Sequence, residues 1–179
     1  MAVIFMTMQS DIRVIGFAAF SGTGKTTLLV KLIPLLNVAG LRIGVIKHTH
    51  HEVDVDQPGK DSFRLRKAGA GQVLLASSRR WALMVEEEFE TEPTLSVLLE
   101  RIDATRLDLV LVEGFRHLHY PKIELHRPVL GKPLLFPDDP SIIALATDTE
   151  PPEAVQIPCL NLNDPMMIRD FILRWLDHR

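Results

Sequence analysis

The sequence contains a single cysteine, Cys159, and no apolar run that approaches the ~20 residues needed to span a bilayer. One thiol excludes an internal disulfide framework and a cysteine-rich zinc site, so we expect a soluble protein of the reducing cytoplasm. The apolar first residues, 1–6, lack the basic flank and the length of a signal peptide. We therefore interpret residues 1–12 as a loose N-terminal extension.

The sequence also lacks a strong net charge. Its 20 Lys and Arg nearly balance its 23 Asp and Glu, which gives a formal net charge of −3. Non-specific nucleic-acid binding needs a strong basic field, so the composition argues against it as the main activity. The 179 residues, 46% of them hydrophobic, suffice for a substantial core. With no internal repeat and no long linker, residues 13–179 are predicted to form one nucleotide-binding domain.

What the sequence does contain is a glycine-rich turn between a predicted strand and a predicted helix. The apolar run 14–20 is typical of a strand buried on both faces, and leucines at helical spacing begin at Leu28. Backbone N–H groups of such a turn, with the positive end of the helix, surround an anion. In a phosphate-binding loop of this kind, Lys25 reaches the terminal phosphates and Thr26 holds Mg²⁺. The predicted nucleotide contacts are Ser21, Gly22, Thr23, Gly24, Lys25, Thr26 and Thr27.

The loop departs from the general pattern at its first position, where Ala19 stands in place of glycine. Alanine reaches positive φ only at a cost, so we expect an ordinary backbone conformation at this residue. Gly22 and Gly24 remain to form the turn.

A second nucleotide motif is predicted at Glu113, which follows the apolar strand 107–112. An acidic residue at the carboxyl end of a buried strand would face Mg²⁺ or its waters, or orient the attacking water. The alternative is an exposed carboxylate at a strand end. Together with the phosphate loop, the pattern favours a metal-binding and catalytic role for Glu113, beside a catalytic role for Lys25.

A dense polar segment, residues 47–62, follows the second predicted strand and leaves the sheet at the same edge as the phosphate loop. Asp54 and Asp56 point the same way in an extended chain, so they either assist Mg²⁺ or belong to a solvated acidic loop. His48 and Lys60 are candidates for nucleotide contacts. A zinc site on the neighbouring histidines is disfavoured, because structural zinc needs four ligands, usually including cysteine.

Asp148 lies at the exit of the predicted buried strand 142–146 and is the candidate for recognising guanine. A carboxylate accepts two hydrogen bonds from the N1–H and N2–H₂ edge of guanine, whereas adenine offers no such pair of donors. The familiar four-residue guanine motif has a lysine two residues before the aspartate, and here that position is Ala146.

The order of predicted elements favours an α/β fold with a mostly parallel sheet, since strands alternate with crossovers of helical length. Residues 72–77 and 81–86 are predicted to form a hairpin. Alternating polar and apolar side chains over residues 122–127 predict an edge or half-exposed strand. Asp164 is predicted to cap a final helix, which Pro165 opens.

Six short motifs together resemble the MobB family, the bacterial molybdopterin-guanine dinucleotide biosynthesis proteins B. They occur in order at residues 19–29, 47–51, 54–62, 66–70, 80–84 and 111–115. The resemblance implies a three-layer, P-loop NTPase-like α/β fold that binds GTP, hydrolyses it weakly and forms a homodimer through the hairpin near residues 72–86. It also implies an adaptor role for the guanylyltransferase MobA, which attaches GMP to molybdopterin. Molybdopterin itself is a further candidate ligand.

The sequence therefore predicts a GTP-binding accessory protein that uses Mg²⁺ and hydrolyses GTP slowly. Slow hydrolysis is expected because no arginine is placed as a finger, a residue worth about 10³–10⁵ in rate. Arg79 or Arg80 would supply one only across a dimer. The alternative is a small-molecule kinase in which Asp54 and Asp56 hold the phosphate acceptor, although an arginine-rich lid is lacking.

Overall fold

A computed structural model describes residues 12–49, 56–87, 92–151 and 155–178. The helices and strands, in chain order, are β1 (Arg13–Ala18), α1 (Lys25–Val38), β2 (Ile43–Lys47), α2 (Asp61–Lys67), β3 (Gln72–Ala76), β4 (Trp81–Val85), α3 (Leu95–Glu100), β5 (Leu109–Glu113), β6 (Lys122–His126), β7 (Ile142–Thr147), β8 (Cys159–Asn161) and α4 (Pro165–Asp177). None of these helices is long and apolar enough to cross a membrane.

The chain divides into two compact units. The larger unit contains the residues up to His48 and those from Leu95 onward, and the smaller unit runs from Thr49 to Thr94. The prediction of one domain over residues 13–179 stays a prediction.

The larger unit is built on a six-stranded parallel sheet of order β2-β5-β1-β6-β7-β8. β1 lies between β5 and β6, with Ile15 beside Leu111 and Phe17 beside Ile123. Because all six strands run in one direction, the segments that follow them emerge at one edge of the sheet. This edge carries the loop after β1 that is predicted to bind phosphate, called the phosphate loop below, and Glu113 at the end of β5.

Helices cover both faces of this sheet, and alternate residues of the strands bury themselves in opposite layers. On one face, Ile15 and Leu111 pack with α1 and α4. On the other face, Val110 and Val112 pack with Leu95 of α3. The predicted three-layer α/β fold is therefore confirmed.

β6 contradicts its sequence-based prediction, since it lies inside the sheet between β1 and β7 and not at an edge. Its first four residues, Lys122 to Leu125, are all buried. The charged side chains at alternate positions suggested a solvated face, but both have partners inside the protein. Lys122 donates from Nζ to the carbonyl oxygen of Arg116 at 2.8 Å, and Glu124 accepts from the backbone N–H of Leu135 at 2.8 Å.

The smaller unit contains α2 and the antiparallel pair β3–β4, in which Leu74 lies opposite Leu83 and Ala76 opposite Trp81. The predicted hairpin is thereby confirmed, and Ser77 closes its turn by donating to the carbonyl oxygen of Arg80 at 2.7 Å.

Candidate functional site

The loop between β1 and α1 has the backbone that a phosphate cradle requires. Gly22 and Gly24 have φ of 82° and 101°, so both need glycine for conformational reasons. A Cβ at either position would meet no heavy atom within 4 Å, which leaves this backbone open to a ligand. Thr23 is buried, and its hydroxyl donates to the carbonyl oxygen of Phe20 at 2.9 Å. Ala19 keeps a negative φ, as its side chain demands.

Lys25 is the first residue of α1 and turns back over this loop. Its Nζ donates to the carbonyl oxygens of Ala19 and Phe20, each at 3.1 Å. Burial lowers the pKa of Lys25; the carboxylate of Glu113 opposes this shift, whereas the charges of Arg116 and Lys47 add to it. A partly desolvated ammonium with two cationic neighbours gains free energy when an anion approaches, so this lysine suits a phosphate group.

Glu113 and Thr26 come together across the sheet edge, from the end of β5 and the start of α1. The hydroxyl of Thr26 lies 3.4 Å from Oε2 and 3.5 Å from Oε1 of Glu113. The Nζ of Lys47, at the end of β2, lies 3.7 Å from the same Oε2. Mg²⁺ prefers oxygen ligands, usually takes only one or two from the protein, and fills the rest with water and phosphate oxygens. The pair therefore fits Mg²⁺.

No group of three or more His, Cys, Asp or Glu that could hold a metal occurs among the residues that the structure describes. A metal at Thr26 and Glu113 would therefore need the oxygens of a bound nucleotide and of water to complete its coordination.

His48 is held beside Glu113 by backbone and ring contacts. Its N–H donates to the carbonyl oxygen of Glu113 at 2.8 Å, and its ring stacks on Phe115 with centroids 4.2 Å apart. Gly114 has φ of 109°, and a Cβ there would lie 2.7 Å from the Cβ of His48. Glycine is thus required at 114 both for its conformation and for this close approach.

Asp148 follows β7 and is joined to the phosphate loop through Arg127. The Nη1 of Arg127 donates to Oδ2 of Asp148 at 2.6 Å, and its Nε donates to the carbonyl oxygen of Thr23 at 3.0 Å. The Nη2 of the same guanidinium donates to Oδ1 of Asn163 at 3.1 Å. Residues after β1, β6, β7 and β8 therefore meet around one guanidinium.

Arg127 and Asn163 were not predicted as site residues from the sequence. Arg127 directly follows β6, and an edge assignment for this strand removed any reason to place the residue near the phosphate loop. Once β6 is known to lie beside β1, the rule that ligands bind beyond the carboxyl ends of parallel strands places Arg127 at the site.

Asp56 and Lys60 belong to the smaller unit, and Asp54 lies outside the described residues. Oδ1 of Asp56 accepts from the hydroxyl of Ser62 at 2.8 Å and from the N–H of Gln57 at 3.1 Å. This carboxylate therefore organises the turn before α2. Lys60 is exposed and immediately precedes that helix. Their predicted metal and nucleotide contacts stay predictions.

The chain is similar to known proteins over nearly its whole length. The MobB family profile, described as molybdopterin guanine dinucleotide synthesis protein B, matches residues 14–148. The molybdopterin-guanine dinucleotide biosynthesis adapter protein of Escherichia coli is 49% identical over 172 residues, covering 96% of this chain and 97% of that protein. The protein of the same name from Haemophilus influenzae is 46% identical over 176 residues, covering 98% and 95%.

A solved structure agrees with the sequence relatives. The crystal structure of a molybdopterin-guanine biosynthesis protein B (mobB) has a TM-score of 0.72 to this chain at 26% identity, covering 92% of this chain and 99% of that one. The family profile covers most of the chain, and a relative with 49% identity matches over 96% of it. The chain therefore belongs to the MobB family.

Proposed function

We propose that the chain is a GTP-binding accessory protein of molybdopterin guanine dinucleotide biosynthesis, which acts in the cytoplasm with the guanylyltransferase MobA. The carrying observation is the open phosphate loop, with Lys25 above it and the Thr26–Glu113 pair at its end. Family membership supports the pathway. Molybdopterin, to which that enzyme attaches GMP, is a second candidate ligand.

In this proposal the phosphates lie on the loop from Ser21 to Thr27. Backbone N–H groups and the N-terminus of α1 supply fixed donors, and Lys25 exchanges its two carbonyl partners for the terminal phosphates. Thr26 and Glu113 hold Mg²⁺, which neutralises phosphate charge when bound. His48 lines the site next to Glu113.

Hydrolysis is proposed to be slow. Lys25 stabilises charge on the terminal phosphate, and Glu113 is the carboxylate placed to orient water. The Nζ of Lys47, 3.7 Å from Oε2 of Glu113, forms an ion pair with this carboxylate. Hydrolysis without an arginine finger is expected to be slower by about 10³–10⁵ than with one.

A Mg-GTP titration of the whole chain by calorimetry tests the binding proposal. Lys25→Ala is expected to abolish binding, and Thr26→Ala to weaken it only when Mg²⁺ is present. The matched control is Lys31→Ala, on the exposed side of α1. Wild-type affinity in the Lys25→Ala variant would overturn the assignment of the loop.

Glu113→Gln separates binding from turnover. The variant keeps the size of the side chain and an oxygen for Mg²⁺ but loses its charge, so GTP binding should persist with reduced affinity while phosphate release falls below detection. Phosphate release at the wild-type rate would remove Glu113 from the hydrolytic step. Glu100→Gln, at the exposed end of α3, is the matched control.

The proposed partner of the hairpin is a second copy of the chain. One face of β3–β4 exposes Leu74, Trp81 and Leu83, with 61%, 64% and 45% of their surfaces accessible. With Gln72 and Ala76 these side chains line an open cavity of about 590 Å³. An uncovered apolar face on a two-stranded sheet supports association, because an isolated hairpin is marginal in water.

A further inference from the structure

The guanidinium of Arg127 determines which atoms of the neighbouring polar side chains act as hydrogen-bond acceptors. Arginine only donates hydrogen bonds, so the atom of Asn163 that lies 3.1 Å from Nη2 must be the amide oxygen. The Nδ2 group of Asn163 is therefore directed away from Arg127, and among the described residues it donates to no protein acceptor, while its exposed position leaves it open to a ligand. On the same fork, Asp148 offers only acceptors.

Asp148 retains acceptor capacity after pairing with Arg127. Its Oδ2 takes the 2.6 Å hydrogen bond, whereas Oδ1 is out of contact with water and has no donor among the described residues. A carboxylate oxygen without a donor is costly, and a ligand N–H would satisfy it. Oδ1 itself is covered in this conformation, so the exposed 20% of the Asp148 side chain lies on its other atoms, and a base pairs with Oδ1 once the carboxylate turns outward.

We propose that Asp148 and Asn163 together form the base-recognition subsite, in which Asp148 accepts from N1–H and N2–H₂ of guanine and Asn163 donates from Nδ2 to O6. This inference rests on the proposed GTP-binding function and extends it to a second specificity-determining residue. Adenine presents the opposite pattern, because its 6-amino donor would face the Asn163 donors and its N1 carries no hydrogen. Such a mismatch leaves polar groups unpaired, which is how hydrogen-bonding sites reject analogues.

Arg127 is the positioning residue of this subsite. It holds Asp148 and Asn163 on two arms of one planar fork, while its third contact, from Nε to the carbonyl oxygen of Thr23, attaches them to the phosphate loop. A bidentate or tridentate guanidinium sets angles that an ammonium cannot. The base subsite and the phosphate subsite are thereby fixed relative to each other.

The experiment measures the affinities of the whole chain for Mg²⁺ complexes of GTP, ITP, ATP and inorganic tripolyphosphate. ITP keeps O6 and N1–H but lacks the 2-amino group, and tripolyphosphate reports on the phosphate loop alone. Wild type is expected to bind GTP tighter than ITP, and ITP tighter than ATP. Asn163→Ala should lose about tenfold in affinity for both GTP and ITP, with ATP and tripolyphosphate unchanged.

Arg127→Lys tests the positioning role by the ratio of GTP to ATP affinity, which a purely structural residue would leave unchanged. The ratio should fall by about tenfold, with a smaller loss for tripolyphosphate. Asn37→Ala and Arg101→Lys, both exposed and outside the network, are the matched controls, and thermal melting verifies that every variant is folded.

A wild-type GTP to ATP ratio in Asn163→Ala, or equal wild-type affinities for GTP and ATP, would overturn the base subsite while the phosphate-loop proposal stands. Failure of the wild type to bind either GTP or tripolyphosphate would instead refute the proposed function itself.

Discussion

The Nζ of Lys122, a side chain with no exposed surface, lies 2.6 Å from Oδ2 of Asp139. The same ammonium donates to the carbonyl oxygens of Arg116 and Leu118, at 2.8 and 2.5 Å. Burial opposes ionisation of Asp139, but the hydrogen bonds from Lys122 and Ser141 outweigh it and lower the pKa of Asp139. One buried lysine thus anchors the segment that follows Glu113 to the middle of the sheet.

Replacing Lys122 by methionine should therefore destabilise the chain by about 3–5 kcal/mol, because it leaves the mostly buried Oδ2 of Asp139 and two carbonyl oxygens without their donor. Urea unfolding at neutral pH measures the loss. Lys31→Met, on the exposed side of α1, should stay within about 0.5 kcal/mol of wild type. A double variant, Lys122→Met with Asp139→Asn, should be less destabilised than the sum of the two single changes.

Glu124 gives a second test of the buried polar contacts of β6. Its two carboxylate oxygens accept from the backbone N–H groups of Leu135 and Phe136, each at 2.8 Å. Glu124→Gln keeps one acceptor and presents an NH₂ group to the other N–H, so we expect a loss of about 1–3 kcal/mol in urea unfolding. Glu100→Gln is the exposed control, and an unchanged midpoint for Glu124→Gln would contradict the hydrogen-bond assignment.

The free energy of unfolding of the wild type and of Glu124→Gln should depend differently on pH. Burial raises the pKa of Glu124, against the opposing effect of the two N–H donors. Above the ordinary value of 4.5, the folded chain therefore keeps a proton that the unfolded chain has released. The contribution of this group to stability is lost as pH rises through that window, and Glu124→Gln should lack this part of the decline.

Several parts of the fold could be predicted because local sequence determines them. The glycines of the phosphate loop need their φ values, and Asp164 caps α4 by accepting from the N–H groups of Met166 and Met167 at 3.0 and 3.3 Å. The pairing of β3 with β4 follows from two strand-like runs joined by a short polar turn. Each of these features depends on residues close together in the chain.

The order of the strands could not be predicted in the same way. The place of β6 beside β1 depends on partners such as Asp139 and Leu135, which follow the strand by about ten residues or more and leave no local pattern. Because Arg127 follows β6, the wrong position predicted for this strand also concealed the position of Arg127. Charged residues at alternate positions indicate a solvated face only when no internal partner exists, and the partners become visible only in the folded chain.

Affinity for Mg-GTP should fall as pH rises in the alkaline range. Only the ammonium form of Lys25 attracts phosphate, and burial has lowered its pKa below the ordinary 10.5 in the free protein. The affinity is therefore highest below that lowered pKa and falls above it, by up to about tenfold per pH unit. Calorimetry in buffers of different ionisation enthalpy should also show proton uptake on binding. Affinity that stays constant as pH rises through 10.5, the ordinary pKa of lysine, would contradict the placement of phosphate at Lys25.

Self-association should depend on the exposed face of the hairpin. Leu74→Glu places a charge where the proposed interface is apolar, so the dimer should weaken by at least about 100-fold in sedimentation velocity. Val30→Glu, which is also exposed but lies on α1, should leave association unchanged. A Leu74→Glu dimer of wild-type strength would assign the interface to another surface.

A substitution at Asp148 should change which nucleotide base the protein prefers. Asp148→Asn replaces one carboxylate oxygen by an NH₂ group, which converts a hydrogen-bond acceptor into a donor. In wild type, Nη1 of Arg127 lies 2.6 Å from Oδ2 of Asp148. Asp148→Asn keeps an oxygen for this contact and presents an amide NH₂ group to the base. Guanine would then face donor against donor at its 2-amino group, whereas the 2-oxo group of xanthine accepts from the new amide. We expect GTP affinity to fall about 10–100-fold and XTP affinity to rise by a similar factor, with tripolyphosphate unchanged. Loss of both nucleotides together, with tripolyphosphate binding intact, would show that Asp148 supports the loops without reading the base.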